Sequence, residues 1–129
     1  MTTTALVKRR ILVVDDEPFI CDAVKMMLSF DGHSVQTATN GADALLLFDR
    51  EKFDLVITDL TMPIMRGDEL ADAIKARDPK LPVVMITAYA ETIRDSAHAP
   101  ASVDFIVSKP FLLEHLREAI AKTVHAGQL

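Results

Sequence analysis

The sequence predicts an α/β domain, a doubly wound parallel sheet of five strands with helices on both faces. Three observations lead there. Short runs rich in Ile, Leu and Val, at residues 11–14, 55–58 and 83–87, recur between stretches with helical apolar spacing, and such alternation implies parallel strands joined by crossover helices. The runs are apolar almost throughout, as strands buried on both faces are. Polar chemistry gathers where the runs end: Asp15 and Asp16 follow the first, Asp59 the second and Lys109 a later one.

Each element has its own signal. Residues 11–14 (Ile-Leu-Val-Val) form the first strand. Pro18 opens a helix at its first turn, with Phe19, Ile20, Ala23, Val24, Met27 and Leu28 as its apolar stripe and Asp31-Gly32 as its stop. Ser34–Ala38 alternates and reads as an edge strand. Asn40 caps a second helix that turns Ala44, Leu45 and Phe48 inward. Residues 55–58 are the third strand, with Asp59 at its end, and Pro63 breaks the loop beyond. Residues 69–76 carry Leu70, Ala73 and Ile74 on one helical face, stopped at Asp78-Pro79. Val83–Thr87 is the fourth strand. Residues 90–97 read as a weakly apolar helix, residues 103–107 as the fifth strand, and Pro110 opens a last helix with Leu113, Leu116, Ile120 and Val124 inward.

The totals bound the function. The 129 residues suffice for one domain with a proper core. A net charge of −5 argues against direct nucleic-acid binding, and Lys8-Arg9-Arg10 is too short a basic run to claim a patch. Cys21 is the single cysteine, so no internal disulfide can form, which fits a reducing cytoplasm. No apolar stretch reaches the ~18 residues of a membrane span, and the four-residue run behind Lys8-Arg9-Arg10 is too short for an export signal.

If the runs are parallel strands, Asp15, Asp16, Asp59 and Lys109 all reach the carboxyl edge of one sheet, where open α/β folds bind ligands. Two carboxylates about 4 Å apart repel by on the order of 4 kcal/mol at an effective dielectric near 20. Such a cluster calls for a cation, and oxygen-only ligands suit a hard one such as Mg²⁺ or Mn²⁺. A carboxylate such as Asp59 can act as a nucleophile toward phosphorus once charge is neutralised. Lys109 supplies an ammonium as a point charge, and the Thr87 hydroxyl stands ready for a phosphoryl oxygen.

The stretches Asp15-Asp16-Glu17-Pro18, Asp59-Leu60-Thr61-Met62-Pro63-Ile64-Met65-Arg66-Gly67, Thr87-Ala88 and Ser108-Lys109-Pro110-Phe111 resemble the receiver domain of two-component response regulators, over essentially the whole chain from Arg10 to Val124. The resemblance implies a flavodoxin-like fold of strand order 2-1-3-4-5, with residues 1–9 a flexible segment, 10–125 the domain and 126–129 a tail. It implies that Asp59 is the phosphoacceptor, loaded by a histidine kinase or histidine phosphotransfer protein. Asp16 would bind the metal directly, Asp15 mainly through water, and the backbone carbonyl of Thr61 would be a further ligand. Lys109 would bind the phosphoryl group, with a cis bond before Pro110. Thr87 and Phe105 would be the switch pair that remodels the face of the fourth helix, fifth strand and fifth helix. The domain would be a cytoplasmic switch and not an enzyme with a separate substrate. Its output would pass through a partner, an effector domain or a homodimer formed on phosphorylation. Three features depart from or vary on the commonest pattern: Pro100-Ala101-Ser102 stands where many receivers have Gly-Ala, Phe105 lacks a tyrosine hydroxyl, and Thr61 and Tyr89 occupy the two positions that tune phosphate loss in the family.

Three rivals stand beside this reading. A haloacid-dehalogenase-type phosphatase wants a second aspartate two residues after the nucleophile, where this chain has Thr61. A flavodoxin-like FMN protein needs a glycine- and hydroxyl-rich first loop, where Asp15-Asp16-Glu17-Pro18 would repel the phosphate. A pseudo-receiver that binds without phosphorylation is separated only by a labelling test. Cys21 reads as a small helix residue. His33, His98, His115 and His125 read as surface residues without ligand spacing. Met26-Met27 and Met62/Met65 read as core or loop packing.

Overall fold

In the computed structural model the described residues are 8–95 and 100–127. Strands β1 (Arg10–Val14), β2 (Ser34–Ala38), β3 (Leu55–Asp59), β4 (Val83–Thr87) and β5 (Phe105–Ser108) form one sheet in the order β2-β1-β3-β4-β5. All four pairings are parallel. Helices α1 (Pro18–Phe30), α2 (Gly41–Arg50), α3 (Gly67–Arg77), α4 (Ala90–Asp95) and α5 (Leu113–Gly127) follow the strands one by one. The fold is flavodoxin-like, as the sequence leads one to expect.

Alternation along the strands divides the core into two layers. Ile11, Val13, Leu55, Ile57, Val84 and Ile86 pack with Val24 and Leu28 of α1 and Leu116, Ala119 and Val124 of α5. Leu12, Val14, Val56 and Val83 point the other way, onto Ala44 of α2 and Leu70, Ala71 and Ile74 of α3. The central strands β3 and β4 are buried at every residue, which explains their unbroken apolar character.

Local chemistry sets the helix ends. Pro18 takes the first position of α1. At the other end Gly32, at φ +90°, donates to Ser29 O while His33 N–H donates to Leu28 O, a Schellman stop that favours glycine there. Asn40 Oδ1 accepts from Asp43 N–H at 2.8 Å and caps α2.

Several expectations are corrected. Phe19 is 68 % exposed and Met26 is 74 % exposed. The buried arc of α1 runs through Cys21, Val24 and Leu28, and at about 100° per residue Phe19 falls on its far side. β5 starts at Phe105, two residues later than the apolar run, because residue 103 closes a turn onto Pro100 O and the Asp104 carboxylate accepts from Val83 N–H and Lys75 Nζ. Pro110 does not open the last helix. α5 begins at Leu113, where His115 Nδ1 accepts from Leu112 N–H at 2.8 Å. α3 starts at Gly67, ahead of the expected Glu69. His33 is half-buried and structural, its Nδ1 accepting from Arg9 N–H at 3.0 Å. Residues 96 and 97 of the expected fourth helix, His98 and residues 1–7 lie outside the described residues, as does the side chain of His125.

Candidate functional site

Strand register builds the site. β1 and β3 pair with Val14 beside Thr58, so Asp15 and Asp59, each one residue further, leave the sheet side by side. β3 meets β4 with Asp59 beside Ile86, and β4 meets β5 with Thr87 beside Ser108. Lys109 follows, its backbone N–H donating to Thr87 O at 3.0 Å. Four strand ends thus deliver their polar residues to one rim.

Carboxylate oxygens of Asp15, Asp16 and Asp59 lie within 4.8 Å of one another. Asp15 and Asp59 are buried and Asp16 is exposed. Lys109 Nζ donates to Asp59 Oδ1 at 2.7 Å and stands 3.8 Å from Asp15 Oδ2. Asp15 Oδ1 accepts from the Glu17 N–H at 2.9 Å. The Lys109–Pro110 peptide is cis.

The charges strain against one another. Burial pushes the Asp15 carboxyl up to about 6 from its ordinary 3.8; the Glu17 hydrogen bond pulls it down, Asp59 pushes it up, Lys109 lowers it and Asp16 raises it. For Lys109, burial works against the charged ammonium, but the hydrogen bond to Asp59 and the charges of Asp59, Asp15 and Glu17 outweigh it and hold the amine above its usual range. Three ionised carboxylates and one ammonium leave a charge of −2. One divalent cation would cancel it, and an all-oxygen donor set suits a hard ion.

The remaining candidates surround this cluster. Thr87 is buried at the end of β4, and its Oγ1 accepts from the Tyr89 N–H at 3.0 Å. Thr61 is exposed in the loop after β3. Phe105 is not brought to this rim: it is the first residue of β5 and pairs with Val84, half-buried against the core layer of α1 and α5, and it lines a shallow cavity with His115 and Glu118. Cys21 is buried, its thiol donating to Asp15 O at 3.3 Å. Burial first, and then the nearby acidic residues, push its pKa up against the Asp15 hydrogen bond, which fits an inert helix residue.

Sequence reasoning assigned no role to Gly67. A Cβ there would collide with the carbonyl oxygen of Asp59 and come within 2.9 Å of the Asp59 carbonyl carbon and of Leu60 Cα. The start of α3 therefore presses on the backbone that presents Asp59. A glycine at the first position of a helix, a short loop beyond a strand-end aspartate, was the available signal.

A rim of this kind on a sheet of this order defines a receiver-type α/β switch domain. Residues 11–121 match the family model described as response regulator receiver domain, and the chain belongs to that family. It is 34 % identical over 106 residues to the probable transcriptional regulatory protein TcrX of Mycobacterium tuberculosis, covering 82 % of this chain and 45 % of that protein. It is 36 % identical over 110 residues to the transcriptional regulatory protein GlrR of Escherichia coli, covering 85 % and 25 %. The chain thus spans half or less of the length of these curated relatives. Among solved structures it resembles the response regulator TrrA of Thermotoga maritima in complex with Mg²⁺–BeF, at 36 % identity and a TM-score of 0.80, covering 89 % of this chain and 98 % of that one. It also resembles a CheY-like receiver domain protein of Methanospirillum hungatei, at 31 % identity and a TM-score of 0.82, covering 95 % and 98 %.

Proposed function

We propose that this domain accepts a phosphoryl group on Asp59 from a histidine kinase or histidine phosphotransfer protein, and that the modified carboxylate switches a partner-binding face. The observation that carries the reading is the buried Asp59 carboxylate, hydrogen-bonded to Lys109 and within 4.8 Å of two further carboxylates.

An Asp59 oxygen attacks phosphorus, the N–P bond of the donor phosphohistidine breaks, and the departing imidazole nitrogen takes up a proton. Asp16, Asp59 and the Thr61 carbonyl would hold Mg²⁺ or Mn²⁺, with Asp15 acting mainly through water. The ion would neutralise the charge between the nucleophile and the phosphoryl oxygens. That the similar TrrA structure is a complex with Mg²⁺–BeF supports a divalent-cation site here by likeness. Lys109 moves its ammonium from Asp59 toward the new phosphoryl oxygens, and Thr87 turns its hydroxyl to donate to one of them. Phe105, further back on the neighbouring strand where it pairs with Val84, follows by repacking. Turnover is confined to the domain's own phosphorylation and dephosphorylation.

The relatives extend well beyond the matched region, which supports output through an effector domain, a partner or a homodimer formed on phosphorylation. Among the described residues no helix is long and apolar enough to cross a membrane, and we assign the domain to the cytoplasm. Incubation with acetyl phosphate and Mg²⁺, read by intact-protein mass, should add one phosphoryl group to the native chain and none to Asp59→Asn. Labelling that persists in the variant at another residue refutes the assignment.

A further inference from the structure

The loop between β3 and α3 contains the one non-glycine residue at positive φ among the described residues. Ile64 sits at φ +70°, and the flanking Met65 N–H donates to Pro63 O at 2.7 Å. This is a γ-turn of the rare, strained hand, and a β-branched residue is the least suited to its centre. Ile64 is fully exposed, so its own side chain contributes no packing that could hold the turn.

The neighbours hold it instead. Met62 is buried in the core layer of α2 and α3. Met65 lies against Gly41, the first residue of α2: its Cβ and Cγ fall 3.0 Å from where a Cβ on Gly41 would stand, and its Sδ falls nearer still. The empty side of Gly41 is therefore filled by the Met65 side chain. Beyond it, Arg66 N–H donates to Glu69 Oε1 at 2.9 Å and Gly67 N–H donates to Leu60 O at 2.9 Å. The turn is clamped on both sides, and the segment it closes carries Thr61.

We infer that Gly41 and Met65 form a seat that holds the strained turn closed and so positions the Thr61 backbone for divalent-cation binding. They are positioning residues, acting through the loop. The inference rests on the phosphoacceptor reading for its cation, while the seat itself is a property of the loop alone.

The test uses the full chain with Met65→Ala, Met65→Ala/Ile64→Gly and Ile64→Gly, alongside the native protein. Mg²⁺ affinity is measured by calorimetry, and amide hydrogen exchange at Gly67 by NMR. Met65→Ala should weaken Mg²⁺ binding by about tenfold, the scale seen when groups supporting metal ligands are removed, and speed Gly67 exchange. Glycine adopts positive φ without a side-chain penalty, so adding Ile64→Gly should restore much of both. Ile64→Gly alone, which relieves the turn with the seat intact, sets how much of that rescue is general stabilisation; a gain in Mg²⁺ affinity and Gly67 protection larger in the Met65→Ala background than in the native one is what the seat requires.

Native Mg²⁺ affinity and Gly67 exchange in Met65→Ala overturn the seat, as does failure of Ile64→Gly to rescue. A native chain that binds no Mg²⁺ refutes the cation reading. The exchange rates then still decide whether the seat exists. Met65→Leu, which refills the seat, should stay close to native in both measurements, and loss in that variant also counts against the inference.

Discussion

Asp15→Asn should stabilise the metal-free domain, even though it removes a residue of the proposed site. The Asp15 carboxyl is pushed from 3.8 to about 6, chiefly by burial. At 1.36 kcal/mol per pH unit, that difference corresponds to roughly 3 kcal/mol. The sign follows from linkage. The folded state resists ionising Asp15 more than the unfolded state does, so the unfolded state releases its proton first as pH rises. Stability is lost between pH 3.8 and about 6, and the whole cost is present above that. Asparagine keeps an oxygen to accept from the Glu17 N–H and carries no charge. In urea unfolding with a chelator at pH 8, the variant should exceed the native protein by up to about 3 kcal/mol, and the two curves should converge near pH 4. Added Mg²⁺ should stabilise the native chain, by about 2.7 kcal/mol at a hundred times its dissociation constant, and the variant much less. A variant less stable than the native protein at pH 8 without metal would refute the electrostatic account of the cluster.

Two further outcomes follow from contacts outside that cluster. Gly67→Ala would drive a methyl group into the Asp59 carbonyl; it should cost about 1–3 kcal/mol in urea unfolding, as overpacking does, and slow acetyl phosphate labelling of Asp59. Arg117 donates from Nε and Nη2 to both oxygens of the buried Asp31, at 2.7 Å each, tying α5 to the end of α1; the hydrogen bond from Arg117 holds the Asp31 carboxyl below its ordinary value. Such a group stabilises the fold above the unfolded carboxylate pKa and loses that effect as pH falls through its folded value, so Arg117→Ala should lower the unfolding midpoint at pH 7 and have a shrinking effect as the solution is acidified below pH 4.

The parts of this molecule that could be read from sequence are those fixed by periodicity and by strand ends. β1, β3 and β4 are buried on both faces, so their apolar runs were unambiguous, and the residues just past each run had to reach one rim. Asp15, Asp16, Asp59 and Lys109 were found that way, while Thr87, a common strand residue, owed most of its assignment to the family motif. The start of β5 was not, because Asp104 spends its carboxylate on Val83 and Lys75 across the sheet, a contact between residues distant in sequence. Phe19 was misplaced because an apolar side chain in the first turn of a helix fits the spacing pattern loosely. The strained turn at Ile64 leaves no local signal at all, since nothing in its chemistry favours positive φ. Gly41 and Gly67 look like ordinary helix starts until the loop they both touch is in place.

The geometry also accounts for how a change at Asp59 reaches a surface. Lys109 is joined to the site twice, by its ammonium to Asp59 and by its backbone to the Thr87 carbonyl. Thr87 is joined in turn to the next loop, its hydroxyl oxygen accepting from Tyr89 N–H. A phosphoryl group on Asp59 would offer new acceptor oxygens to the ammonium and to the Thr87 hydroxyl proton together, so the two strand ends would move as a pair. Along the edge strand, Phe105 and Ile106 are only half-buried, and β5 has one strand neighbour while β3 and β4 have two. Displacement is therefore resisted least on the β5 side. That asymmetry follows from the strand order alone: Asp59, the proposed phosphoacceptor, ends a central strand held on both sides, and Lys109, which pairs with it, follows an edge strand held on one.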